Sequence, residues 1–207
     1  MLIRTLLLIA CVATVGQAQL RAEETADQQA VISIQRIWDR ATHSAFTDLI
    51  EFNGQLYCTF REGSGHIPGL NGTIRVIRSK DGENWSSVAL LEEPHVDLRD
   101  PKLSVTPDGR LMVNTGASYY HGSDRLKIES RVAFSDRNGE NFSAPQKVQF
   151  PEKLITGMDW LWRVTWHGDT AYGSLQQLPN GGKRQLHLIR SADGIKYDHV
   201  SELQLSS

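Results

Sequence analysis

Along residues 73–78, 130–134 and 185–190, apolar or β-branched side chains alternate with polar ones at a period of two, the pattern of strands buried on at least one face. Each run leads into a short polar turn that ends in an aromatic residue. The first turn reads Ser79-Lys80-Asp81-Gly82-Glu83-Asn84-Trp85, the second spans 135–142 and ends on Phe142, and the third reads Ser191-Ala192-Asp193-Gly194-Ile195-Lys196-Tyr197. Their glycines, Gly82, Gly139 and Gly194, are 57 and 55 residues apart, a spacing that marks a repeat array. A tighter turn precedes each of them between two further apolar runs: Asn53-Gly54, Pro107-Asp108-Gly109 and His167-Gly168-Asp169. Two hairpins per repeat predict four strands, in units covering 45–92, 100–150 and 160–205.

Four-stranded antiparallel sheets repeated about an axis solve the problem of exposed sheet edges, so the predicted fold class is all-β, a β-propeller with about three four-stranded blades. Propellers close with roughly four to eight blades, and three imply an incomplete ring or assembly with another chain. Residues 31–38 are a candidate ring-closing strand ahead of the first blade. The expected organisation is therefore a leader at 1–18, an N-terminal segment at 19–44 and a partial propeller at 45–207.

The residues of the repeating turn have a structural explanation. An Asp or Asn accepts hydrogen bonds from the backbone N–H groups ahead of it, Gly tolerates positive φ, and the aromatic packs beneath. The expected set is Ser79, Asp81, Gly82 and Trp85 in the first copy, Asn138, Gly139 and Phe142 in the second, and Ser191, Asp193, Gly194 and Tyr197 in the third. The second copy is degenerate, with one inserted residue and Asn138 where the others have Asp. No catalysis is assigned to these turns.

Charge changes the picture by exclusion. The formal net charge of −2 is spread over interleaved acids and bases, which argues against nucleic acid or a membrane surface as partner. At the start of the chain, Arg4 precedes an apolar run from Leu6 to Val15 and then small residues, reading as a cleaved secretory leader ending at Ala18. That run is too short to span a bilayer, and no later stretch reaches the roughly 20 apolar residues required. The expected location is secreted or periplasmic. A lipoprotein-like Leu8-Ile9-Ala10-Cys11 is present but ranks below simple export. Cys58 alone remains after processing, so no intramolecular disulfide forms, and its apolar setting marks it as a buried small hydrophobe rather than a nucleophile.

If strands A to D follow one another in each blade, the two turn types share one face. The D-to-A and B-to-C connections then share the other. On that second face fall Arg61-Glu62-Gly63-Ser64-Gly65-His66, the stretch 95–101 with Arg99 and Asp100, Tyr119-Tyr120-His121, and Asp159-Trp160-Leu161-Trp162-Arg163. Arg, Asp, His and Trp from distant connections on one rim are how a binding site is built on a rigid scaffold. The competing explanation makes Arg99 with Asp97 or Asp100 an ion pair between blades. Trp162 and Trp166 alternate along a strand as core residues do, leaving Trp160 as the stacking candidate. His43, His66, His95 and His121 lie on this face, but without close ligand spacing no metal or other cofactor is expected.

These residues resemble the sialidase superfamily, whose members share Asp-box (BNR) repeats and a six-bladed propeller; the resemblance covers nearly all of the chain after the leader. It implies a glycoside hydrolase-like protein, although Asp-box turns also occur in propellers that hydrolyse nothing. In hydrolytic members an arginine opens strand A of the first blade, where this chain reads Ser44-Ala45-Phe46-Thr47-Asp48-Leu49 and has none. An Arg after strand B resembles Arg61, and an Asp-Pro opening strand A of the second blade resembles Asp100-Pro101. The family's acid/base Asp falls near His66, and its Tyr nucleophile and activating Glu belong to later blades. The reading is a secreted propeller acting on or binding a glycan or other small carbohydrate. In it His66 and Glu62 are the proton-transfer candidates, and Arg61, Arg99, Asp100, Trp160 and Arg163 contact the ligand. The alternatives are a non-catalytic glycan- or protein-binding propeller and an inactive fragment.

Overall fold

The strands form three sheets, and each sheet is a plain antiparallel meander in chain order. In a computed structural model that describes residues 33–67, 72–178 and 182–204, the first sheet contains β1 (His43–Phe52), β2 (Gln55–Gly63), β3 (Thr73–Ser79) and β4 (Ser86–Leu91). The second holds β5 (Asp97–Val105), β6 (Leu111–His121), β7 (Asp124–Phe134) and β8 (Gln146–Lys147); the third holds β9 (Asp159–His167), β10 (Thr170–Gln177), β11 (Gln185–Ser191) and β12 (Asp198–Glu202). A single 3-10 turn at Glu152–Leu154 is the one helical element among the described residues. The fold is all-β, and the sheets are blades of a propeller. Strand β8 is reduced to two residues because Pro145, just before it, has no N–H to give to the ladder.

Blades adhere through apolar faces. Phe52, Tyr57, Ile74 and Val76 of the first blade meet Leu98, Leu103, Leu111 and Val113 of the second, and Met112, Val132 and Phe134 of the second meet Leu161, Leu175 and Ile189 of the third. Full burial of each such side chain contributes about 1.5–3 kcal/mol. Burial along the strands reports this sandwiching: the first eight residues of β6 are all buried, whereas β10 alternates strictly, with Ala171, Gly173, Leu175 and Gln177 facing the second blade. Among the described residues no blade packs on the other face of β10.

The repeating turns take the expected geometry. Gly82, Gly139 and Gly194 have φ of +77°, +74° and +74°, a region closed to most side chains. Ser79 Oγ accepts from the Gly82 amide at 2.9 Å, and Asp81 Oδ1 accepts from the amides of Glu83 and Asn84 at 2.9 and 2.8 Å. Ser191 and Asp193 repeat the arrangement on Gly194, Ile195 and Lys196. The degenerate copy corrects the sequence reading. Its carboxylate is Asp136, not the Asn138 side chain: Asp136 Oδ1 accepts from the amides of Asn138 and Glu140 at 3.0 and 2.9 Å. The inserted residue is absorbed by moving the acceptor one position toward the strand. Trp85, Phe142 and Tyr197 pack below their turns, and Trp85 Nε1 also donates to Gly82 O at 2.9 Å.

The candidate strand at 31–38 is not one over its described part, 33–38. Instead Ile37 and Trp38 cover Cys58, Phe60 and Ile77 on the outer face of the first blade. Burial pushes the Cys58 thiol up to about 11, with the nearby Asp48 carboxylate adding to the shift, so the thiol is inert at neutral pH. The leader at 1–18 lies outside the described residues, and no helix among those described is long and apolar enough to cross a membrane.

Candidate functional site

Each blade's innermost strand carries the same irregularity. In β1 the pairing jumps from Ala45↔Arg61 to Asp48↔Thr59, in β5 from Arg99↔Gly116 to Lys102↔Asn114, and in β9 from Leu161↔Leu175 to Val164↔Gly173. Two residues on the inner strand thus oppose one on its neighbour, a β-bulge at one level in all three blades: Phe46-Thr47, Asp100-Pro101 and Trp162-Arg163. Bulges re-aim side chains and collect beside functional sites. Phe46 and Asp100 are held at φ of +63° and +52°, outside the comfortable range of non-glycine residues. Such strain persists where the surroundings impose it and points toward function.

The side chains at this level interact across blades. Arg163 Nη2 of the third blade donates to Asp48 Oδ1 of the first at 2.5 Å, and Asp48 Oδ2 accepts from the Leu103 amide of the second at 2.8 Å. Lys102 Nζ lies 4.9 Å from the centre of the Trp162 ring, a cation–π contact, and Trp162 meets Trp160 edge-on at 4.9 Å. Burial and then the Arg163 charge lower the Lys102 pKa against the pull of Asp48 and Asp100. For Asp100 the direction is upward: burial disfavours its carboxylate more than Arg99, Lys102, Arg125 and Arg61 favour it. The centre can therefore offer donors, an apolar plane and a carboxyl that keeps its proton to higher pH than an ordinary Asp.

Around this centre stand the residues singled out from the sequence. Arg99 is buried, donating from Nη1 to Asp97 Oδ2 at 3.2 Å, to Tyr120 Oη at 3.2 Å and to the His66 carbonyl at 3.3 Å, with its guanidinium carbon 5.2 Å from the Phe46 ring. His66 is exposed, its ring 5.4 Å from Phe46 and 6.0 Å from His43. Trp160 is half-buried against Gly116, and it lines a cavity of about 100 Å³ with Arg125, Met158 and Arg184. Arg163 is exposed on the axis.

Two expected site residues stand elsewhere. Arg61 has no exposed surface: its Nε donates to Asp97 Oδ1 at 2.8 Å and its Nη1 to the Gly65 carbonyl at 3.0 Å. Asp97 also accepts from the Gly72 amide at 2.7 Å, so Arg61, Asp97 and Arg99 form a buried knot closing the B-to-C loop onto the second blade. A guanidinium so enclosed is a positioning group, not a ligand contact. Glu62, next along β2, points to the opposite face, as alternation demands. It accepts from Trp38 Nε1 at 2.6 Å and from Arg75 Nη2 at 2.9 Å. It faces away from the axis.

No protein-family model and no curated protein matches this sequence. Solved structures do match. A protein of unknown function from Dyadobacter fermentans DSM 18053 superposes with a TM-score of 0.65 at 17% identity, over 79% of this chain and 56% of its own. An α-L-arabinanase of Penicillium chrysogenum, complexed with arabinobiose, gives 0.59 at 14% identity, over 79% and 50%. A mutant Trypanosoma rangeli sialidase displaying trans-sialidase activity gives 0.56 at 12%, over 78% and 31%. The chain thus spans about half, or less, of the length of these structures, and at such identities the likeness establishes the fold alone.

Sequence reasoning placed Tyr120 on the right face and passed over Asp48, Lys102, Phe46 and Arg125 as site residues. For Asp48 and Lys102 a signal was present: each is the sixth residue of its strand and a charge set directly before a leucine, Leu49 and Leu103.

Proposed function

We propose that this chain forms part of a propeller related to glycoside hydrolases, and that its glycan site is the axial centre where the three bulges meet. The observation that carries the reading is the repeated bulge, which brings Asp48, Asp100, Lys102, Trp162 and Arg163 from three blades to one level. In this arrangement Trp162 offers a face to a sugar ring, and Lys102 and Arg163 donate to hydroxyl or carboxylate oxygens. Asp100, whose carboxyl burial shifts toward the protonated form, is the proton donor, with the exposed His66 as second proton carrier. The Ser-Asp-Gly turns favour the sialidase superfamily as the nearest family. The stretch from Ser44 to Leu49 lacks that family's carboxylate-gripping arginine, which disfavours sialic acid as substrate. Export through the leader at 1–18 is part of the same proposal.

A second reading, binding without turnover, is favoured by Asp48, whose two oxygens are both engaged by Arg163 and the Leu103 amide. Incubation of the protein with lactose, xylobiose, arabinobiose and sialyllactose, followed by product analysis, separates the two. Turnover that falls about a hundredfold or more in Asp100→Asn supports the hydrolase. Binding without cleavage, weakened by Asp100→Asn, supports the binding module. Equal behaviour of wild type and Asp100→Asn on every sugar rejects the axial site.

A further inference from the structure

The face opposite the axial rim, where the tight turns and the Ser-Asp-Gly turns emerge, differs between the two blade junctions. Between the first and second blades it is bridged. Asn53 Nδ2 donates to the Arg137 carbonyl at 2.9 Å, Tyr57 Oη to the Asn138 carbonyl at 3.3 Å, and Arg78 pairs with Glu140 at 2.9 Å. Between the second and third blades the corresponding positions are Asp108, Met112 and Phe134, and among the described residues no hydrogen bond joins the turn at 106–110 to the turn at 191–197. A cavity of about 600 Å³ stands there instead.

Its walls have a distinct chemistry. Trp166 and Phe134 supply aromatic surface, and Asp108, Arg110, Asp169 and Asp193 ring it with hydrogen-bonding groups. Arg110 lies over the Phe134 ring at 4.7 Å and is held by Asp108 at 2.7 Å, so both are fixed in place. The Trp166 Nε1 is buried and finds no acceptor among the described residues, so what Trp166 gives the cavity is ring surface. Three carboxylates against one guanidinium make the wall anionic. Flat aromatic surface with converging carboxylates suits the apolar face and hydroxyl edge of a pyranose or furanose, and the charge repels sialic and uronic acids.

We propose that this inter-blade cavity is a second binding site, for a neutral saccharide, on the face opposite the axial centre. It stands independently of the axial reading. The test is titration of the protein with lactose, xylobiose and arabinobiose, and with N-acetylneuraminic acid as the anionic control, by saturation-transfer NMR and tryptophan fluorescence. At least one neutral sugar should bind at millimolar concentration and N-acetylneuraminic acid should not compete. Asp169→Ala, an exposed turn substitution that leaves the core intact, should weaken that binding about tenfold, and Trp166→Ala should abolish it. Asp100→Asn, which disables the axial centre, should leave it unchanged. Failure of every neutral sugar to bind, or binding that survives Asp169→Ala and vanishes in Asp100→Asn, overturns the proposal.

Discussion

The two blade junctions solve one packing problem by different means. Between the first and second blades, apolar packing is reinforced by charge: the Arg61–Asp97–Arg99 knot, Arg131 forked onto Glu93 at 2.7 and 2.9 Å, and Arg78 with Glu140. Among the described residues no ion pair crosses from the second blade to the third. There the joint is an apolar cluster pinned by neutral hydrogen bonds, Asn114 Nδ2 to the carbonyls of Leu161 and Trp162, and Ser130 Oγ to the Asp159 carbonyl. A charged joint costs desolvation but fixes loop positions, and the loops it fixes are those beside the axial centre. The apolar joint leaves its far side open. The difference teaches that rigidity is concentrated where the Arg99, His66 and Tyr120 groups are held.

The sharpest way to break this comparison is Asp97→Ala. It leaves the Arg61 guanidinium buried without its partner and should cost about 3–5 kcal/mol in urea unfolding; a loss below about 1 kcal/mol would make the knot incidental. Next comes the turn packing. A Cβ on Gly139 would lie 2.5 Å from Tyr57 Oη across the first junction, whereas one on Gly82 meets nothing nearer than 3.7 Å. Both glycines have positive φ, so Gly139→Ala should cost about 2–3 kcal/mol and Gly82→Ala about 1 kcal/mol, and equal costs would show that the junction does not feel the turn.

The smallest effect is pH-dependent. Glu129 is held down at about 2, from an ordinary 4.5: burial opposes the charge, but hydrogen bonds from Lys127, Lys147 and Arg131 outweigh it. A depressed folded-state pKa means that its contribution is complete above the unfolded value near 4.5 and is lost as pH falls toward 2. Stability should drop by about 1–2 kcal/mol across that window, allowing for screening, through ion pairs that all lie within the second blade. Glu129→Gln should flatten the slope measured by urea midpoints; an unchanged slope would assign the acid sensitivity elsewhere.

How legible these features were follows from how local they are. Gly82, Gly139 and Gly194 announce their turns through chemistry contained in a few residues, so the blades and the shared face of their connections follow from sequence spacing. The degenerate turn was misread at Asn138 because, with one residue inserted, the accepting carboxylate comes from Asp136, two positions earlier, and takes the amides of Asn138 and Glu140. The axial centre was harder. Period-2 reasoning places Trp162 in the core and passes over Asp48 and Lys102 as ordinary strand residues, because a bulge shifts the alternation and nothing within β1, β5 or β9 alone reveals it. Arg61 looked like a rim residue since its partner, Asp97, lies 36 positions away. Glu62 looked adjacent to the site only because sequence neighbours on a strand point to opposite faces.

The central claim is that the three bulges make one binding centre. Backbone amide hydrogen exchange, with and without the oligosaccharide that binds or is cleaved, tests it most directly. The account predicts added protection together at Phe46–Asp48, at Asp100 and Lys102, and at Trp162–Arg163, while Ser86–Leu91 on the blade edge stays unchanged. Protection confined to one blade, or absent from all three bulges while the sugar is bound, would contradict it.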